Sequence, residues 1–169
     1  MDLALLLVRL IGIGFAAHGA QKLFGWFGGH GLAGTGGFFE QIGFRPGHIF
    51  AAAAGFSEIA GGLLVALGLL GPIGPMFMIA VMTTAALSVH APNGFFAQNN
   101  GYELPLVYGG LALVLAFAGF GVYSLDAALG LSSLWTPAIS WIAVGLGILG
   151  GLGNVAMRRK AATSQPAGN

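Results

Sequence analysis

Residues 51–67 read Ala-Ala-Ala-Ala-Gly-Phe-Ser-Glu-Ile-Ala-Gly-Gly-Leu-Leu-Val-Ala-Leu, an apolar, glycine-rich run with one carboxylate, Glu58, at its centre. The apolar character extends over 49–70, and about 20 apolar residues are enough for a helix to cross the hydrocarbon of a bilayer. A charged side chain at that depth costs about 3 kcal/mol on insertion scales. Glu58 therefore needs a partner, a water-filled cavity or a ligand, and it is the first candidate functional residue.

The composition assigns the whole chain to the membrane. Of its 169 residues, 56% are hydrophobic and only 7% are charged, and the mean hydropathy is +0.86. Soluble domains carry about 25% charged residues, so these charges are too few to cover a soluble surface. The net charge of +1 forms no basic stripe, so nucleic acid is not an expected partner. The absence of cysteine excludes thiolate chemistry and cysteine-ligated metal centres.

The apolar pattern predicts an all-α integral membrane protein with five spanning segments. They cover about residues 3–23, 49–70, 72–90, 104–120 and 135–157. We expect a transmembrane bundle over 1–130, an additional transmembrane helix within 131–157, and a disordered polar tail over 158–169.

The basic residues predict the orientation in the membrane. With five spans, Lys22, Arg45, Arg158, Arg159 and Lys160 share one side of the bilayer, and Arg9 lies near the other. Cytoplasmic segments carry an excess of Lys and Arg. We therefore expect a multi-pass cell-membrane protein whose first loop and C-terminus are cytoplasmic.

Buried ionisable residues suggest an ion pair and a proton-handling site. Arg9 and Asp126 emerge near the same interface, and we expect them to form a structural ion pair, with a gate or docking role as the alternative. Glu58 and His18 reach about the same depth and are the candidates for proton handling. Either His18 or Arg9 could pair with Glu58, and a buried latch that sets helix register is the competing interpretation.

The remaining polar residues suggest a ligand pocket near the cytoplasmic interface. Lys22, His90, Asn100 and Glu103 are the candidate ligand-binding residues, because hydrogen bonds from such groups hold the carbonyls of a quinone-type headgroup. Aromatic residues that could stack on the ring follow in the same loops: Trp26, Phe27, Phe95, Phe96 and Tyr102. No pair of histidines has strong metal-ligand spacing, so we expect no metal.

These residues together resemble the DoxX family of small integral membrane proteins. The blocks that carry the resemblance fall in family order over residues 1–130: Arg9…Gly14-Phe15…His18-Gly19…Lys22, Gly37-Phe38-Phe39…Gly43, Glu58…Gly61-Gly62…Leu67-Gly68-Leu69, Asn100-Gly101-Tyr102-Glu103-Leu104-Pro105-Leu106 and Gly119…Asp126. The resemblance implies a four-helix membrane bundle and an association with quinone-linked membrane oxidoreductases. The apparent fifth helix departs from the family pattern.

The sequence supports a quinone- or redox-associated membrane subunit that performs no covalent chemistry alone. An accessory or structural subunit of a larger membrane complex is the alternative, since abundant glycine allows close helix contact with other membrane subunits. A small-molecule carrier is a third alternative, which the lack of an inverted repeat disfavours. Besides lipid, other membrane proteins are the expected partners, and a quinone is the possible cofactor.

Overall fold

The computed structural model describes residues 1–159, and the regular secondary structure in that part of the chain is all helical, with no strand. The α-helices, numbered in chain order, have these bounds: α1 Asp2–Arg9, α2 Ile11–Phe24, α3 Gly31–Gln41, α4 Gly47–Leu67, α5 Ile73–Ala85, α6 Glu103–Ala118, α7 Leu125–Ala128 and α8 Pro137–Ala156. A π-helical turn, Ala86–His90, continues α5, and short 3₁₀ turns connect several of the other helices.

The protein is a multi-pass membrane protein. Within residues 1–159, four helical stretches are long and apolar enough to span a bilayer: Asp2–Phe24, Gly47–Leu67, Ile73–Asn93 and Pro137–Ala156. The predicted fourth segment is α6, whose 16 residues give about 24 Å at 1.5 Å per residue. The outward faces expose large apolar side chains, such as Leu63, Trp141 and Leu149, that suit contact with lipid.

Helices α2 and α4 pack closely through paired glycines. A Cβ atom on Gly12 would strike the carbonyl oxygen of Gly62, and one on Gly62 would strike the carbonyl oxygen of Gly12. Gly19 and Gly55 make a second close approach, because a Cβ on Gly19 would lie 2.5 Å from the Gly55 oxygen. Small residues let helix backbones approach in membranes, so these pairs set the separation and crossing of α2 and α4.

Helix α4 ends three residues earlier than the sequence predicts. Gly68 has a left-handed conformation (φ 65°) and caps the helix, and the Leu69 amide donates to the Leu64 carbonyl. Glycine is the usual residue at such a cap because it carries no Cβ to clash. The predicted boundary at residue 70 followed hydropathy, which does not register a glycine cap inside an apolar run.

The C-terminal helix α8 is an integral part of the bundle. Its Gly147 and Gly151 face the backbone oxygens of Met76 and Ala80 on α5, and a Cβ added to either glycine would lie about 2.8 Å from the facing oxygen. The Arg159 amide donates to the Gly43 carbonyl at 2.8 Å, which ties the end of α8 to the loop before α4. Of the predicted disordered tail, residues 160–169 lie outside the described part of the chain.

The apolar core lies between α2, α4, α5, α6 and α8. Its buried members come from all five helices and the turn after α6: Phe15, Val65, Met78, Ile79, Ala112, Leu115, Ala116, Phe120 and Val144. Helices α4 and α5 are central, and α3 lies against α4 on the side of its N-terminal half. This arrangement leaves space beside Glu58, between the first half of α4, the end of α5, and α3.

Candidate ligand-binding site

Glu58 forms an ion pair with Lys22. The Lys22 Nζ donates to both carboxylate oxygens, Oε1 and Oε2, at 2.6 Å each. The Glu58 side chain is 3% exposed and the Lys22 side chain is 27% exposed. Hydrogen bonds between charged groups are short and strong, and burial of the carboxylate makes this pair the principal electrostatic feature of the site.

The pairing corrects the sequence-based expectation that Arg9 or His18 would meet Glu58. His18 is exposed, and its Nδ1 lies 3.0 Å from Gln21 Oε1. Arg9 lies at the opposite end of the bundle. Lys22 is one helical turn beyond His18, and the close crossing of α2 over α4 places it within reach of the carboxylate. Comparison of depths along two helices could not reveal this, because depth carries no information on how each helix is rotated.

A cavity of about 240 Å³ lies against the ion pair. Lys22 and Glu58 form part of its wall, and aromatic side chains from the α3–α4 region form another part: Phe38, Phe39, Phe44 and Phe50. The contacts between Phe39, Phe44 and Phe50 are successive, with ring centroids 5.7 and 5.2 Å apart. The cavity therefore joins a charged, hydrogen-bonding end to an aromatic wall.

The far wall comes from the end of α5 and from α8. His90, Ser88 and Thr84 line it from the α5 side, and Asn154 lines it from α8. The His90 Nδ1 lies 2.8 Å from the backbone oxygen of Asn100. A carbonyl oxygen only accepts hydrogen bonds, so Nδ1 must carry the proton in this contact. In the neutral ring, Nε2 is then a hydrogen-bond acceptor.

Two of the predicted binding residues do not line the cavity. Asn100 has a left-handed conformation (φ 61°), and its backbone oxygen accepts hydrogen bonds from His90 Nδ1 and from the Asn93 side chain. Glu103 begins α6, and its Oε2 accepts from the Ala97 amide at 2.8 Å. Both residues hold the 91–103 loop in shape, so their effect on the cavity is through the position of His90.

The aromatic residues expected to stack on a ligand do not line this cavity either. Phe95 and Tyr102 pack on each other within their own loop, with centroids 5.5 Å apart, and Trp26 and Phe27 are exposed. The aromatic wall comes instead from α3 and the start of α4. The amphipathic run Phe-Phe-Glu-Gln-Ile-Gly-Phe over 38–44 was the available signal.

Arg9 and Asp126 do not form the predicted ion pair. The Arg9 guanidinium is buried and donates to the backbone oxygens of Phe120 (3.1 Å) and Tyr123 (2.7 Å). Asp126 accepts from the amides of Leu70 (2.8 Å) and Gly71 (2.7 Å). Unpaired backbone groups are costly to bury. Each of the two charged side chains therefore forms hydrogen bonds with the backbone groups of a turn instead of pairing with the other side chain. Both are structural residues at the end of the bundle far from Glu58.

A second cavity, of about 370 Å³, lies at that opposite end, between the turns after α4 and α6 and the start of α8. Its acidic side chains already accept hydrogen bonds from backbone amides. Asp2 accepts from Val122, and Asp126 accepts from the turn after α4. Its serines Ser124 and Ser140 donate to backbone oxygens, whereas the buried Trp135 Nε1 in its wall has no hydrogen-bond partner within residues 1–159. The smaller cavity beside Lys22 and Glu58 is the better candidate for a ligand site, because its wall holds the buried ion pair.

Comparison with known families agrees with the helical arrangement. A family model described as DoxX matches residues 4–91. The chain belongs to the DoxX family. A curated protein of Haemophilus influenzae, described as uncharacterized, is 33% identical over 86 residues, which are 51% of this chain and 55% of the relative. The chain thus spans about half the length of that relative, and no solved structure matches.

The DoxX match contains the principal side chains of the cavity. It runs from α1 through the π-helical turn and includes Lys22, Glu58, Ser88 and His90. Asn100, Glu103 and Asp126 lie beyond the match, as does the whole of α8. Asn154 is therefore a contribution from outside the matched region to the wall of the DoxX-type bundle.

Proposed function

We propose that this DoxX protein binds the headgroup of a quinone-type lipid in the cavity beside Glu58, as a redox-associated membrane subunit. The Lys22–Glu58 pair at the cavity wall carries the proposal. The ammonium has three N–H groups and donates two to the carboxylate, so one remains for a ligand oxygen. The carboxylate keeps free lone pairs for a ligand hydroxyl.

The shape and lining of the cavity support the same class of ligand. Ligand sites are mostly apolar with a few placed polar groups, and here four phenylalanine side chains line the cavity together with Lys22 and Glu58. A volume of about 240 Å³ is below the range of about 300–1,000 Å³ for whole drug-sized ligands. It suits a flat headgroup whose apolar tail continues into lipid. Glu58 is the proton-handling candidate that remains in this site, since His18 lies outside it.

The test is mass spectrometry of lipid-soluble molecules that copurify with the protein in mild detergent. We expect a quinone-type lipid near one equivalent in the wild type and a large loss in Ala54→Leu, because Ala54 lines the cavity and the added bulk fills it. Ala138→Leu changes an exposed residue of α8 and is the matched control. Equal quinone content in the two variants, or none in the wild type, would refute the proposal.

We also propose an orientation, with the first loop and the end of α8 in the cytoplasm. Basic residues gather at this end of the bundle, as they do on the cytoplasmic side of membrane proteins. The Arg158 Nε donates to the Ile42 carbonyl, and its guanidinium lies 5.7 Å from the Phe44 ring, next to exposed Arg45. Arg9 is at the other end. A cysteine introduced at Arg45 is expected to resist an impermeant thiol reagent in intact cells and to react after lysis. Labelling in intact cells would reverse the orientation.

A second candidate role is that of an accessory subunit, for which α8 provides a specific observation. Gly147 and Gly151 pack on α5, whereas a Cβ added to Gly145 or Gly153 would meet nothing within 4 Å. The second pair would allow another membrane helix to approach closely. Under this proposal, Gly145→Leu abolishes copurification of a partner subunit while leaving the protein folded. Unchanged copurification would remove α8 as the contact.

A further inference from the structure

The cavity wall contains a π-helical turn, an uncommon element. Residues Ala86–His90 continue α5, and the Ala91 amide donates to the Ala86 carbonyl, five residues back. Such turns are rare and occur frequently at functional sites, because the wider turn redirects side chains. Here the turn ends at His90 and has Ser88 at its centre, and both residues line the cavity.

Ser88 carries a buried hydroxyl with no hydrogen-bond partner. The residue is 5% exposed, and its Oγ contacts no donor or acceptor within residues 1–159. The hydroxyl of Thr84, one turn earlier, does have a partner, because its Oγ1 donates to the Ala80 carbonyl at 2.9 Å. A buried hydroxyl left unpaired is destabilising. A ligand oxygen in the adjacent cavity would supply the missing partner.

Two side chains in the cavity wall, Glu58 and His90, offer hydrogen-bond acceptors that a quinone cannot use. The oxygens of a quinone only accept hydrogen bonds, whereas a quinol has hydroxyl groups that both donate and accept. Glu58 offers carboxylate lone pairs, and in the neutral form of His90, whose Nδ1 donates to the Asn100 carbonyl, Nε2 is an acceptor. Lys22 donates, the Ser57 and Ser88 hydroxyls can rotate to do either, and the Asn154 amide offers both a donor and an acceptor.

We infer that the cavity selects the dihydroxy (quinol) form of its ligand over the dicarbonyl (quinone) form, with His90 as the acceptor that discriminates and Ser88 as a second anchor. This inference rests on the proposed function and specifies the redox state of its ligand. A quinone oxygen facing Nε2 or the carboxylate would place two acceptors together. A quinol hydroxyl in the same position donates a hydrogen bond.

The test compares the dissociation constants of decylubiquinone and decylubiquinol for the purified full chain, measured anaerobically by equilibrium dialysis in detergent. We expect the quinol to bind about tenfold more tightly, as one additional hydrogen bond provides. His90→Phe should lower this ratio several-fold by weakening quinol binding alone, because Glu58 then remains as the other acceptor. Ser88→Ala should weaken both forms several-fold without lowering the unfolding temperature, because it removes an unpaired hydroxyl.

Ser140→Ala is the matched control, since the buried Ser140 hydroxyl lies outside this cavity and already donates to the Ala116 carbonyl. It should leave the binding ratio unchanged. Binding of both forms with equal affinity, or preference for the quinone, would overturn the inference and leave the proposed function standing. Failure of both forms to bind the wild type would refute the proposed function itself. A ratio that persists in His90→Phe would remove His90 as the discriminating residue.

Discussion

Loss of Lys22 should destabilise the protein much more than loss of its partner carboxylate. The Glu58 side chain is 3% exposed, whereas the Lys22 side chain is 27% exposed. Lys22→Met leaves a buried carboxylate without its cation, which costs about 3–5 kcal/mol. Glu58→Gln keeps an acceptor for the ammonium, and Lys22 can extend its flexible stem toward water. We expect that change to cost about 1 kcal/mol.

The assay is thermal unfolding of the purified variants in one detergent, with circular dichroism as the signal that monitors unfolding. For a chain of this length, 1 kcal/mol corresponds to about 2–4 °C in Tm. Lys22→Met should therefore lower Tm by about 6–20 °C, and Glu58→Gln by about 2–4 °C. The double variant should recover much of the loss, because it removes the buried charge together with its partner.

The control is Arg45→Met, which removes a cation that is exposed and should change stability by no more than about 0.5 kcal/mol. A Tm loss in Glu58→Gln that equals or exceeds that in Lys22→Met would show that the unequal burial does not govern the energetics. Simple addition of the two losses in the double variant would contradict the direct coupling of the two side chains.

Two further variants test the helix packing and the turn after α4 with the same unfolding assay. Gly62→Ala should lower Tm because the new methyl group strikes the Gly12 backbone. The control Gly145→Ala meets nothing within 4 Å and should be neutral or slightly stabilising. Equal effects of the two changes on Tm would contradict the close approach of α2 and α4. Asp126→Ala should cost about 2–3 kcal/mol, since both of its oxygens accept from backbone amides. Asp2→Ala removes a single exposed hydrogen bond and should cost less than about 1 kcal/mol. A larger loss in Asp2→Ala than in Asp126→Ala would contradict the role of Asp126 in satisfying the turn after α4.

The sequence by itself determined the class of the protein and pointed to Glu58 as the centre of the candidate site. A low charge content and apolar runs of spanning length require membrane helices, because only helices and closed barrels satisfy their backbones in lipid. The cost of burying a carboxylate identified Glu58. The close-packing role of Gly12 was also predictable, since membrane helices use small residues at their contacts.

Only the tertiary structure decided the partner of Glu58 and the walls of the cavity. Sequence spacing gives depth along each helix, but the rotation and crossing of α2 on α4 depend on the paired glycines, and these bring Lys22 to the carboxylate. The turns after α4 and α6 also contain backbone groups that need hydrogen-bond partners, and the sequence does not show which side chains reach them. Arg9 donates to the carbonyls after α6 and Asp126 accepts from the amides after α4, so the two side chains do not pair. The cavity joins parts of α2, α3, α4, α5 and α8, and no local pattern in the sequence specifies where these five elements meet.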